Sequence, residues 1–128
     1  MNSKKPTKAE LEILSVLWKK DEATVREVFE EINTRKKTSY TTVLKLLQIM
    51  FEKELVERNE DARAHVYRAR IKRNETGRQM LDEVLEKVFG GSALRLVQQV
   101  LENETTTADE IKEIRELIEK AGREAEEK

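Results

Sequence analysis

The segment Thr38–Arg70 constrains the fold of this chain most. It opens Thr38-Ser39, runs on with helical period as Tyr40-Thr-Thr-Val-Leu-Lys-Leu-Leu-Gln-Ile-Met-Phe-Glu-Lys53, and ends in two strand-like runs around a charged turn. At 100° per residue, Val43, Leu46, Leu47 and Met50 share one side and predict a core-facing stripe. Thr41, Lys45, Gln48 and Glu52 share the other, with Thr42 and Ile49 at one margin. That exposed side carries hydroxyls, an amine and a carboxamide, groups that can donate and accept at base edges in a major groove. A plain solvated helix carries the same groups, so the neighbouring elements decide the reading.

Three helix starts are written as capping boxes, Thr7-x-x-Glu10, Thr24-x-x-Glu27 and Thr107-x-x-Glu110. The first predicts a helix from about Thr7 to Lys20 with Leu11, Leu14, Leu17 and Trp18 as its core stripe. The second predicts one from about Thr24 to Thr34, burying Val25, Val28, Phe29 and Ile32. Asp21-Glu22-Ala23 reads as a polar turn between them, and Asn33–Thr38 as a basic connection. After the third helix, Leu55–Asn59 and Ala64–Ala69 suit strands on either side of Glu60-Asp-Ala-Arg63. Such a hairpin is too small to stand alone and must pack on the helices. Helix, helix, polar-faced helix and basic hairpin, in that order, predict a mainly α winged helix-turn-helix. On this reading Thr41, Thr42, Lys45 and Gln48 read bases, while Lys36, Lys37, Tyr40 and Arg63 hold phosphates. Arg58 and Arg68, also in the hairpin, are on this reading within reach of phosphates. His65, the single histidine, reads as a surface residue of the wing and not as a metal ligand.

Past Arg73 the pattern is wholly helical. One helix is expected from about Glu75 to Phe89, stopped by Gly90-Gly91, and a shorter one, capped by Ser92, from about Ala93 to Glu102. A last helix follows the Asn103–Thr107 loop, with a frayed tail after Ala121. Leu94, Val97, Leu101, Ile111, Ile114, Leu117 and Ile118 form apolar stripes that one copy of these helices has little to bury against. A symmetric homodimer supplies the missing partner. Charge divides the same way. Residues 1–73 hold 17 Lys and Arg against 12 Asp and Glu, a net +5; residues 74–128 hold 8 against 14, a net −6. A polyanion-binding head and a tail that phosphates repel would show this division. The expected domains are therefore 1–73, binding DNA, and 74–128, dimerising.

The inventory also excludes functions. There is no cysteine, hence no disulfide or thiolate metal site, which suits a cytoplasmic protein. No apolar run approaches the ~18 residues of a membrane span. Met1–Pro6 is basic without a following apolar stretch, so it reads as a short unstructured start and not a signal peptide. No catalytic constellation, glycine-rich phosphate loop or metal-ligand spacing is present, so neither an enzyme nor a cofactor is expected. The rival to DNA binding is a winged helix used as a protein-interaction module.

Several of these residues carry a family resemblance. Thr7-Lys-Ala-Glu-Leu-Glu-Ile-Leu-Ser-Val-Leu-Trp18, Ala23-Thr-Val-Arg-Glu-Val28, Tyr40–Lys53 with Ala64-His-Val-Tyr-Arg-Ala69, and Val88-Phe-Gly-Gly91 together resemble the penicillinase-repressor family of BlaI/MecI-type winged-helix regulators. The resemblance spans roughly residues 7–120. It implies a cytoplasmic transcriptional repressor, homodimeric through interlocking C-terminal helices and bound to an inverted-repeat operator. In beta-lactam-responsive members a membrane sensor protease leads to cleavage at an Asn-Phe bond in the short helix after Gly-Gly. Here that stretch reads Leu96-Val-Gln-Gln-Val-Leu101, without Asn-Phe, so induction by that cut is not expected. The copper-responsive branch needs cysteines that this chain lacks. Glu54 stands where the family usually has glycine, which implies a less tight turn after the third helix. Ile49 stands where many members carry Arg, which implies a different operator preference.

Overall fold

The computed structural model describes residues 5–61 and 63–127. The first four residues of the start expected to be unstructured lie outside them, as do Ala62 and Lys128; Pro6 is buried. The elements are α1 (Lys8–Lys20), β1 (Ala23–Thr24), α2 (Val25–Asn33), α3 (Tyr40–Glu52), β2 (Val56–Asn59), β3 (Val66–Ala69), α4 (Arg73–Lys87), α5 (Ala93–Leu101) and α6 (Ala108–Glu126). The chain forms two compact units that divide between Gln79 and Met80, inside α4.

In the first unit the capping boxes at Thr7 and Thr24 close in full, each Thr hydroxyl accepting from the N3 amide and each Glu from the cap amide. These fix where α1 and α2 begin. Ile13, Leu14, Val16 and Leu17 of α1, Val28 of α2, and Val43, Leu47 and Met50 of α3 meet in one core. Leu11, Trp18, Phe29 and Leu46, expected inside, are only partly buried at its edge. The hairpin closes the core from the side. β3 lies between β1 and β2, antiparallel to both, with Ala23 opposite Tyr67 and Arg58 opposite Tyr67 on the other flank. Tyr67 is 1% exposed and plugs the sheet onto the helices. Ala23 was expected in a polar turn and is instead a buried strand residue, because a two-residue strand has no period to read.

Glu10 is 2% exposed, and a carboxylate in that position needs partners. One oxygen accepts from the Thr7 amide at 2.9 Å and the other from Lys53 Nζ at 2.8 Å. Burial pushes the Glu10 carboxyl up, but Lys53 and the Thr7 amide together outweigh it and hold the group below its ordinary value. The pair ties the start of α1 to the end of α3. Past Lys53 the turn is tight despite the absent glycine: Leu55 N donates to Met50 O at 2.9 Å and Glu54 N to Phe51 O at 3.1 Å. That is the Schellman pattern, and Glu54 takes the left-handed position at φ 66°. The looser turn expected at Glu54 is therefore not found. The side-chain cost is accepted to keep the hairpin close to α3.

The start of α4 is held to the first unit. The Trp18 indole N–H donates to Ile71 O at 3.0 Å, Arg73 lies 5.7 Å from the Trp18 ring centroid, and Thr76 is buried. In the second unit, Gly90 and Gly91 stop α4 at φ 60° and 82°. Ser92 caps α5 by accepting from the Arg95 amide, and the Thr107 hydroxyl accepts from the Glu110 amide to start α6. The tail expected to fray after Ala121 is helical to Glu126. Gly122 costs a helix about 1 kcal/mol relative to Ala, but good helix formers flank it on both sides.

Candidate nucleic-acid interface

Ser39 sets the start of α3, its hydroxyl accepting from the Thr42 amide at 3.1 Å and donating to the Thr42 hydroxyl at 2.8 Å. With Val43, Leu47 and Met50 turned inward, Thr41, Lys45 and Gln48 are all exposed, together with Glu52. Three of the four expected base-reading residues thus share a front face about 60° wide. Thr42 is exposed too, but it turns toward α1, into a small hollow beside Lys36 and Thr38. Gln48 faces the other way, onto a cleft between α3 and the hairpin that it lines with Tyr40 and Leu44.

The cations flanking this face differ in how they are held. Lys36 Nζ lies 3.2 Å from the Glu12 carboxylate, an exposed pair of the kind a phosphate can displace. Lys37 is exposed, Tyr40 is 40% exposed at the first position of α3, and Arg63 is exposed on the hairpin turn. Arg58 is committed elsewhere. Its guanidinium lies 3.9 Å over the Phe51 ring, and Nε donates to Glu60 at 2.7 Å. The Tyr67 hydroxyl, then Glu60, push its pKa above the ordinary arginine value. Arg58 therefore braces the hairpin against α3. Arg68 pairs with Glu22 at 3.0 Å, tying β3 to the α1–β1 turn.

One residue escaped the sequence reading. Arg26, in the first turn of α2, is exposed and lies 5.4 Å over the Tyr40 ring. Nothing in its helical position marks it; only the packing of α2 on α3 brings it to the start of the recognition face.

The apolar stripes of the second unit are open. Leu94 is 69% exposed, Leu117 65% and Ile118 55%; Val97 and Leu101 are exposed as well, and Ile111 and Ile114 are half-buried. Among the described residues no cluster of three or more His, Cys, Asp or Glu could hold a metal ion, and no helix is long and apolar enough to cross a membrane.

The sequence matches the penicillinase repressor family model over residues 6–120. The chain belongs to the penicillinase repressor family. The family is one of transcriptional repressors, not of enzymes. Among its members, the penicillinase repressor of Staphylococcus aureus is 26% identical over 110 residues, covering 86% of this chain and 87% of that one. The methicillin resistance regulatory protein MecI of Staphylococcus aureus strain N315 is 27% identical over 112 residues, covering 88% and 91%. The transcriptional regulator BlaI of Mycobacterium tuberculosis is 41% identical over a shorter stretch of 56 residues, covering 43% and 41%. The solution structure of the DNA-binding domain of the repressor BlaI superposes with a TM-score of 0.51 at 25% identity, over 59% of this chain and 93% of that one. The winged-helix architecture read from Thr38–Arg70 is thus that of the BlaI DNA-binding domain.

Proposed function

We propose that the protein is a cytoplasmic, homodimeric repressor that occludes an inverted-repeat operator. The exposed Thr41, Lys45 and Gln48 face of α3, flanked by cations in a chain of this family, carries the reading. Each subunit lays the N-terminal half of α3 in a major groove, where Thr41, Lys45 and Gln48 read base edges and Thr42 reads from the margin. Lys36, Lys37, Tyr40 and Arg63 hold phosphates and set the register without adding sequence preference. Residues 1–73 form the DNA-binding domain and residues 74–128 the dimerisation domain. Pairing of the Leu94, Val97, Leu101, Ile111, Ile114, Leu117 and Ile118 stripes across a two-fold axis places the half-sites one or two helical turns apart. A sensor protease is a partner suited to this family, but the segment around Gln98-Gln99 is helical within α5 and lacks the Asn-Phe bond, so release proceeds by another route.

Selection of duplexes from a random pool, followed by titration of Lys45→Ala and Gln48→Ala, tests the reading. Each variant is expected to lose about 1–3 kcal/mol on the selected site and much less on random DNA. Unchanged affinity in both refutes this assignment of the face. A wild-type protein whose binding to the selected duplex is insensitive to salt would instead favour the protein-interaction module, because phosphate neutralisation carries a log–log slope of about −0.9 per contact.

A further inference from the structure

The cleft between α3 and the hairpin holds more positive charge than base reading uses. It measures about 520 Å³ and is lined by Arg26, Arg58, Arg63 and His65 with Tyr40 and Gln48. No carboxylate is among its described lining residues, although acidic residues outnumber basic ones in the chain, 26 to 25. The neighbouring hollow, which shares Arg58, is different, because Glu22 and Glu57 line it and Glu22 pairs with its Arg68. An electropositive cleft free of carboxylates is built for an anion.

The cations in it are not equivalent. Arg58 is neutralised by Glu60 and pressed on Phe51, so it forms a fixed wall. Arg26 has a 68% exposed side chain, and its pairing with Glu30 is long, at 4.0 Å. What places Arg26 is an aromatic ring. Its guanidinium lies over Tyr40, and Tyr40 is held edge-on by Phe29, with centroids 6.1 Å apart at 70°. A cation–π contact holds a guanidinium near a ring without consuming its N–H donors, which remain available to an oxyanion.

We propose that Arg26 is a phosphate-holding residue of this repressor: with Tyr40 and Arg63 it seats one backbone phosphate of the duplex in the cleft. This fixes the depth at which α3 enters the groove. The proposal rests on the DNA-binding reading above. It adds α2 to the interface, and it makes the Arg26–Tyr40 contact the link between backbone positioning and the base-reading face. A guanidinium suits this role because it can meet a phosphate with two parallel hydrogen bonds.

Phosphate and base contacts leave different signatures. Arg26→Gln should weaken binding to the selected operator and to a random duplex by the same factor, about tenfold, as for loss of a charged hydrogen bond. It should also reduce the log–log salt slope by about 0.9. Arg26→Lys keeps the charge but not the fork, so it should restore the slope and only part of the affinity. Arg26 is exposed, and both variants should unfold at the wild-type midpoint. If wild type binds duplex with a normal salt slope and Arg26→Gln leaves affinity and slope unchanged, the Arg26 proposal fails while the DNA reading stands. An Arg26→Gln loss confined to the operator would overturn it too, by making Arg26 a base reader. Failure of the wild type to bind any duplex at low salt would remove the DNA reading and the Arg26 proposal together.

Discussion

The two units of this chain are written in the same residues and finished differently. In the first, Ile13, Leu14, Leu47, Met50 and Tyr67 are at 0–1% exposure. In the second, neither α5 nor α6 has a single buried residue, although α5 carries Leu and Val and α6 carries Ile and Leu on one face. An amphipathic stripe states which face must be covered and not what covers it. In the first unit the chain supplies the cover itself, through the hairpin and the crossing of α1, α2 and α3. In the second, we propose, another copy supplies it.

The largest expected effect attacks the open unit. Leu117→Glu should dissociate the dimer, with a loss of about 4–6 kcal/mol, because two-fold symmetry inserts the charge twice into an apolar interface. Sedimentation equilibrium at micromolar concentration reads it directly. A variant that stays dimeric, or a wild type that is monomeric there, breaks the comparison by showing that the second unit needs no second copy. Leu47→Ala, in the closed unit, should cost about 2–5 kcal/mol. Its cost in urea unfolding should not vary with protein concentration, whereas that of Leu94→Ala should. Equal concentration dependence in both would mean that the two units do not unfold for different reasons.

What could be read beforehand follows from this contrast. The capping boxes at Thr7 and Thr24 and the inward side of α3 were legible, because each rests on local hydrogen bonding or on a period within one helix. The pairing of Ala23 with Tyr67 was not, since it joins residues 44 positions apart through a strand too short to show alternation. Ile13 and Val16 are buried beside Leu14 and Leu17 because α2 and the hairpin cover α1 on more than one side. A single stripe could not reveal this. The front of the interface, Thr41, Lys45 and Gln48, followed from angle alone. Arg26 depended on the crossing of two helices, and the commitment of Arg58 to Glu60 and Phe51 depended on the hairpin's fold.

The ion pairs of the two units differ in the same sense. Lys53→Met leaves Glu10 buried without its cation. The expected cost is about 1–2 kcal/mol, below that of a fully buried pair because the Lys53 side chain is 42% exposed. The Glu10 carboxyl is held below its ordinary value, so the pair's contribution is complete above the usual glutamate value of 4.5 and is lost as pH falls through the lower folded value. The difference between Lys53→Met and wild type in urea midpoint should therefore be full at neutral pH and fade on acidification. In the second unit Lys87 and Glu83 lie 3.2 Å apart, with the lysine 74% exposed. Lys87→Met should change stability by no more than about 0.5 kcal/mol. A pH-independent Lys53→Met effect would show that lost packing, not the ion pair, joins α1 to α3.

Another small effect separates two helix ends that both turn through positive φ. α4 is stopped by Gly90 at φ 60° and Gly91 at φ 82°, whereas α3 is stopped by Glu54 at φ 66°. A residue with a Cβ pays roughly 1–2 kcal/mol in that region, and glycine relieves it while adding about 0.5–1 kcal/mol of unfolded-state entropy. Glu54→Gly should therefore stabilise the first unit by about 0.5–1 kcal/mol. The 3.4 Å pairing of Glu54 with Arg70 is more than half exposed on both sides and offsets little of this. The converse change, Gly90→Ala, meets no atom within 4 Å, so its cost of about 1 kcal/mol is a backbone cost alone. Thermal unfolding of the two variants measures both signs. A destabilised Glu54→Gly would mean that the Glu54 side chain, through Arg70, holds the hairpin against α3 more strongly than the left-handed turn strains it.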